Sequence, residues 1–333
     1  LGGRFLCHAH HAADCYPVTG LARFIGPLWA VLLAVSASAQ MPLQSGFVQV
    51  PGGPVWYEIA GDGPGVPLLT LHGGPGGTSC GSQLLYPLAD ERPVIRYDQL
   101  GSGRSGRPRD TSLWQRDRFV EALDTLRREL GLERLHLQGH SWGGALAAYY
   151  VLQKGTEGIV SLTLSSPLIS TPLWIRDADA LRATLPQAVQ DTLDRHEADG
   201  STDHEDYVAA TELFYSRFVS RGDPVEESRC EDAPRNARIY LQMWGPTEFH
   251  ATGSLRDFDL SSRLREIDVP TLFITGEHDE ARPETIRAFA RDVPGARVEV
   301  LPDVGHASLS RAPQLYRDLL GQFLREAEAL GAE

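Results

Sequence analysis

Ser141 lies in Gly139-His140-Ser141-Trp142-Gly143-Gly144, between an apolar run at Leu135 and Leu137 and a small-residue helical pattern over Ala145-Leu146-Ala147-Ala148. A serine on a sharp strand-to-helix turn presents its hydroxyl at the top of a sheet, where a base and a substrate both reach it. The flanking glycines let neighbouring chain pass close by. Serine is a poor nucleophile until a histidine takes its proton, and that histidine needs a carboxylate on its other ring nitrogen. Asp279 follows the β-rich run Thr271–Thr275, and His306 follows the alternating run Arg297–Leu301. The pattern predicts Ser141 as nucleophile, His306 as base and acid, and Asp279 as the orienting carboxylate. His278 precedes the acid and competes poorly with His306. His136, His196, His204 and His250 receive no role.

The acyl oxygen also needs donors. Val66–Leu71 reads as a buried strand running into His72-Gly73-Gly74-Pro75-Gly76. A glycine-rich loop there and the amide after the nucleophile form an oxyanion hole, which assigns the donors to Gly74 and Trp142. His72 is expected to hold that loop in place. Together with the order Ser…Asp…His, these features predict an α/β-hydrolase fold.

The elements that must position these groups are legible along the chain. Phe47–Val50 and Val55–Ile59 read as a hairpin around Pro51-Gly52-Gly53. Leu68–Leu71, Val94–Tyr97, Leu135–Gln138 and Ser161–Leu164 read as short buried strands. Phe119, Leu123, Leu126 and Leu130 recur at helical spacing between them. Alternating strands and helices predict a mostly parallel central sheet flanked by helices, with its loops gathered at the carboxyl ends of the strands. Residues 41–167 and 263–333 are assigned to this core. Residues 168–262 carry helical signals, at Leu181, Leu185, Val189 and Leu193 and over Tyr207–Val219, and read as an inserted helical cap. Ala312–Leu330 is the expected closing helix.

Composition excludes several classes. A net charge of −13 argues against a nucleic-acid partner. The four cysteines contain no C-x-x-C and do not read as a disulfide framework: Cys7 and Cys15 lie near the start, leaving Cys80 and Cys230 as two distant thiols. Cys7-His8-Ala9-His10-His11 has no second ligand cluster at a usual spacing, so no metal is expected, and no cofactor. Residues 1–40 are read as an extension outside the fold. Arg23, the apolar run Phe24–Val35 and Ala37-Ser38-Ala39 imitate an export signal cleaved after Ala39. A start at Met41 and a cytoplasmic protein are the preferred alternative. The apolar run is too short for a spanning helix, and no stable membrane association is expected.

His72-Gly73-Gly74-Pro75-Gly76, Tyr97-Asp98-Gln99-Leu100-Gly101-Ser102-Gly103-Arg104-Ser105 and Gly139-His140-Ser141-Trp142-Gly143-Gly144 together resemble the proline iminopeptidase family. Met243–Phe249 and Gly276–Glu280 resemble its branch that includes the tricorn-interacting aminopeptidases. His140 departs from the pattern, since many members carry glutamine there. The resemblance implies a serine aminopeptidase that releases an N-terminal residue, preferably proline, from a small peptide or aminoacyl substrate through an acyl-enzyme. It matches Glu248 to a glutamate that reads the substrate amino terminus, since a buried ammonium needs a carboxylate. Glu212 and Glu280 are further candidates for that contact. Trp142, Trp244 and Phe249 are expected around the proline ring, or in cap packing. An amino-acid amidase or small-ester hydrolase uses the same triad and remains the alternative, as does a slow or silent ligand receptor. Dehalogenases and epoxide hydrolases use an aspartate where this chain has Ser141.

Overall fold

The computed structural model describes residues 41–331 other than 227, 229, 231 and 232. The expectations for the signal-like segment and for Cys7 and Cys15 fall outside the described residues. An eight-stranded sheet runs in the order β1-β2-β4-β3-β5-β6-β7-β8. β1 (Leu43–Val50) and β2 (Gly53–Ala60) form the expected hairpin, and β2 pairs antiparallel with β4 (Val94–Tyr97). β3 (Leu68–Leu71), β5 (Leu135–His140), β6 (Ile159–Ser165), β7 (Thr271–Gly276) and β8 (Arg297–Leu301) continue the sheet in parallel with β4.

Both faces of this sheet are covered, which is why β3, β4 and β7 read as unbroken buried runs rather than as alternations. Leu69, Leu71, Ile95, Tyr97 and Phe273 face one core with helices α1 (Arg116–Glu129), α2 (Trp142–Lys154) and α7 (Pro283–Asp292). Leu68, Val94, Leu272 and Ile274 face a second core against α9 (Pro313–Leu330), which follows the short α8 (Ser308–Arg311). Tyr316, Leu320, Phe323, Leu324 and Ala327 form the buried stripe of α9, at the spacing of one helix face. The β-strands end together beneath the loops that carry the chemistry.

Between β6 and β7 the chain forms α3 (Thr171–Arg182), α4 (Gln187–Asp199), α5 (Glu205–Phe214), a π turn over Tyr215–Val219, and α6 (Ala237–Met243). The periodic run from Leu181 to Leu193 is two helices rather than one, because Pro186 stands between them. Ala178, Leu185, Leu193, Tyr207, Ala210, Phe214 and Phe249 build a small core of their own. Among the described residues no helix is long and apolar enough to cross a membrane.

The cysteine reading needs correction. Cys80 and Cys230 are joined in a disulfide, with Cα atoms 5.6 Å apart and a sequence separation of 150. Cys80 lies in the 3-10 stretch Ser79–Leu88 that follows the glycine loop, and Cys230 in the segment leading to α6. Sequence distance carried no information about their proximity, because the insertion folds back onto the core.

Candidate active site

Ser141 occupies the turn between β5 and α2 with φ 56° and ψ −120°, a left-handed conformation that L-residues avoid. Such a conformation costs on the order of 1–3 kcal/mol and persists because its surroundings hold it. Ser141 N–H donates to Ser165 O at 2.9 Å, while Ser141 O accepts from Ala145 N at 3.0 Å and Leu168 N at 3.2 Å. The glycines are required by space: a Cβ on Gly139 would stand 2.1 Å from Gly143 O, and one on Gly143 2.2 Å from Leu71 O. Trp142 N–H is the first amide of α2, one of the donors a helix leaves unused at its start.

The glycine loop is fastened to Trp142 through Gln99. Gln99 N–H donates to His72 Nε2 at 3.0 Å, Gln99 Nε2 donates to His72 O at 3.0 Å, and Trp142 Nε1 donates to Gln99 Oε1 at 2.9 Å. His72 Nε2 therefore carries no proton, and Nδ1–H faces Gly73 O at 3.1 Å. Burial lowers the pKa of His72 and keeps the ring neutral. Gln99 went unassigned in the sequence, although it sits inside the Tyr97–Ser105 motif.

His306 Nδ1–H donates to Asp279 Oδ1 at 2.9 Å. Asp279 also accepts from Ala281 N at 2.8 Å, Ser166 Oγ at 2.5 Å, Thr275 Oγ1 at 3.0 Å and Gly276 N at 3.3 Å. Burial alone would raise the Asp279 pKa, but His306 and these donors hold it below the usual carboxylate range. Burial alone would lower His306, yet Asp279 beside it, with Glu248 further off, holds it above its ordinary value. Glu280, the next residue, is driven the other way. It is fully buried, both carboxyl oxygens lack a hydrogen-bond partner among the described residues, and burial, then Glu248 and Asp279, raise its pKa well above normal. The pKa values of these adjacent carboxyls are thus pushed in opposite directions.

The insertion helps to place the histidine. Phe218 O and Val219 O, in the π turn, accept from His306 N and Ala307 N, both at 2.9 Å. His140 packs its ring 4.6 Å from that of His306 and its Nε2 lies 3.0 Å from His306 O. Burial and the neighbouring His306 push the His140 pKa down to about 4, so it stays neutral. Trp174 meets His306 edge-on at 5.6 Å.

Two cavities meet at Ser141. The outer one, about 400 Å³, is lined by Gly73–Gly77, His140, Ser141, Tyr215, Arg235–Ala237, Tyr240, Glu248 and His306. The inner one is a narrow slot walled by Trp142, Leu168, Trp174 and Trp244, and it shares Gly74, Pro75, Ser141, Tyr240 and Glu248 with the first. Glu248 is held by its backbone: its N–H donates to Tyr215 Oη at 3.2 Å, and its carbonyl accepts from Trp174 Nε1 at 2.9 Å. Burial raises the Glu248 pKa, opposed by His306, Tyr240 and Arg235.

Ser141, His306, Gly74, Trp142, Glu248 and Trp244 therefore come together, with Asp279 and Glu280 directly behind. Glu212 does not join them. It is exposed on α5, whose buried face is Tyr207, Ala210, Thr211 and Phe214. Phe249 is also corrected: it lines neither cavity and packs against Phe214 at 4.7 Å in the core of the insertion. Trp174, Leu168, Tyr240 and Arg235 were missed, since nothing in their local patterns marks them as facing Ser141.

Residues 66–313 match the family described as alpha/beta hydrolase fold. The chain is 44% identical over 284 residues to the proline iminopeptidase of Heyndrickxia coagulans, spanning 84% of this chain and 98% of that one. It is 34% identical over 292 residues to the proline iminopeptidase of Levilactobacillus brevis, spanning 85% and 97%. Among solved structures it is similar to the proline iminopeptidase of Mycobacterium smegmatis, with a TM-score of 0.77 and 34% identity over 87% of this chain and 100% of that one. It is also similar to VinJ, with a TM-score of 0.78 and 33% identity over 85% and 99%. With the fold, the elbow and these relatives in agreement, the chain belongs to the proline iminopeptidase family of α/β-hydrolases.

Proposed function

We propose that this protein is a serine aminopeptidase that removes N-terminal proline from short peptides. The observation that carries this reading is the pair of acids next to the triad. Glu248 lines both cavities, and Glu280 stands buried nearby with no hydrogen-bond partner among the described residues. Burial raises the pKa of both carboxyls, and such a pair is completed by a cation. The free imino terminus of a peptide supplies one, and Glu248 lies on the cavity wall to meet it. Trp142, Leu168, Trp174 and Trp244 give the site an apolar wall beside that charge, against which a compact ring can pack.

Catalysis then runs on the chain's own groups. His306 Nε2 takes the proton of Ser141 Oγ as the oxygen attacks the prolyl carbonyl. The amides of Gly74 and Trp142 receive the developing oxyanion. His306 returns the proton to the leaving amine as the C–N bond breaks, leaving prolyl-Ser141. Water, deprotonated by His306, attacks the ester and releases proline and the Ser141 hydroxyl. Asp279 holds the Nδ1–H tautomer throughout and stabilises the imidazolium.

The test compares prolyl-aminomethylcoumarin with its N-acetyl derivative and with a small uncharged ester. Cleavage of the free imine and the ester, with the acetylated amide resistant, is expected. Equal cleavage of both amides removes the acid pair from recognition, and turnover of esters alone gives the esterase alternative its place.

The Cys80–Cys230 disulfide favours the exported alternative over the cytoplasmic one, because such bonds persist in oxidising compartments. The signal-like run ending at Ala37-Ser38-Ala39 supports the same reading. An amino terminus at Gln40 in native material is the expected result, and a terminus at Met41 returns the protein to the cytoplasm.

A further inference from the structure

The outer cavity is lined by side chains of opposite charge, Glu248 and Arg235. Glu248 stands on the wall shared with the inner slot, and Arg235 lines the opening beside Asn236 and Ala237. Arg235 is exposed, and among the described residues no carboxylate lies within ion-pair distance of it. Its charge nonetheless reaches inward, lowering the pKa of Glu248 and of His72.

The backbone that carries Arg235 is pinned on both sides. Pro234 O accepts from Gly103 N at 3.0 Å. Asn236 N–H donates to Gly76 O at 2.8 Å, and Asn236 Nδ2 donates to Gly101 O at 2.8 Å. The Cys80–Cys230 bond anchors the same segment a few residues upstream. A cation on a fixed backbone beside the oxyanion loop has a defined distance to the scissile bond, unlike one on a free loop.

The direction of the substrate follows from the two cavities. If the residue before the scissile bond packs on the side of Trp142, Trp174 and Trp244, the leaving part runs out along Gly73–Gly77 and past Arg235. In a dipeptide or tripeptide the terminal carboxylate lies only one or two residues beyond the bond, at roughly 3.3–3.6 Å per residue when extended. A cavity of about 400 Å³ is at the small end of those that enclose one ligand.

We infer that Arg235 binds the terminal carboxylate of the leaving group, so that the site reads both ends of a short zwitterionic peptide. Glu248 takes the positive end and Arg235 the negative one, and the spacing between them selects di- and tripeptides over longer chains. This inference rests on the aminopeptidase reading above.

The experiment measures kcat/KM for Pro-Ala and for Pro-Ala amide, in the wild type, Arg235→Gln and Arg235→Lys, with prolyl-aminomethylcoumarin as a third substrate. The wild type is expected to prefer the free carboxylate about 5- to 20-fold, the range of a charge-assisted contact at a partly exposed rim. Arg235→Gln brings the ratio of the two dipeptides to about one, and Arg235→Lys keeps part of the preference. The readout is the ratio, which a general loss of activity would not move. A wild-type ratio of one, or a ratio unchanged in Arg235→Gln, overturns the assignment while coumarin turnover leaves the aminopeptidase reading standing. Failure to cleave all three substrates removes that reading and this assignment together.

Discussion

Replacing both Cys80 and Cys230 by serine cuts the covalent tie between the glycine-loop region and the segment that carries Arg235 and Asn236. The disulfide closes 150 residues of chain. Loop-closure entropy for a ring of that length corresponds to about 5 kcal/mol at 25 °C, and measured disulfides more often return about 2–4 kcal/mol. An unfolding entropy near 2 cal/mol/K per residue converts this, for a unit the size of Met41–Glu333, into a fall in Tm of about 3–8 °C. Serine is the replacement of choice because Arg96 Nη1 and Arg104 Nη2 lie 3.3 and 3.5 Å from Cys230 Sγ, and a hydroxyl still offers them an acceptor. Removing both cysteines also avoids leaving a lone thiol. The bonds of Asn236 to Gly76 and Gly101 survive, so the opening loosens rather than detaches. KM for peptides is expected to rise a few-fold, with turnover of a small ester little changed. Calorimetry of oxidised wild type, reduced wild type and the double variant measures the stability term. The last two are expected to melt together, below the first. Oxidised wild type and double variant melting within about 1 °C of each other would refute the reasoning, as would free thiols mapped to Cys80 and Cys230 in unreduced native protein.

Ser141→Ala is expected to fold and to lose all covalent labelling by a fluorophosphonate probe; full labelling would move the nucleophile elsewhere. His306 must be neutral to accept the serine proton, and Asp279 and Glu248 hold its pKa above 6.5, so kcat/KM falls as pH drops through a midpoint above 6.5. Glu248→Gln removes one of those two charges, so on an uncharged ester the acid limb moves to lower pH; a limb that stays put denies the coupling. Buried His136 lies between Ser161 Oγ at 2.7 Å and Glu328 Oε1 at 3.1 Å, its pKa pushed down to about 4 by burial. Its unfolded form takes up a proton near 6.5, so stability is complete above that pH and about 3 kcal/mol is lost as pH falls toward 4. His136→Gln is expected to flatten the acid side of Tm against pH, and a wild-type slope would refute the His136 assignment.

What the chain determines locally could be read without a structure. The elbow at Ser141 needs glycine at 139 and 143 because backbone passes where a side chain would stand, and that demand is written in the residues themselves. The strands were legible because a sheet covered on both faces selects short apolar runs, and their order put Asp279 and His306 after successive late strands. Tertiary structure decided which distant groups meet. Ser166 reaches Asp279 across 113 residues, Trp142 reaches Gln99 across 43, and Cys80 reaches Cys230 across 150, and no local period encodes such encounters. It also decided which way the faces of the insertion turn. Glu212 stood as a further candidate beside Glu248, but the helix carrying Glu212 buries its opposite side. The backbone of Glu248 is clamped between Tyr215 and Trp174, and Glu248 lines both cavities that meet at Ser141. The physical reason is that a helix or strand is specified by a handful of neighbours in sequence, whereas a site is specified by the packing of several elements at once.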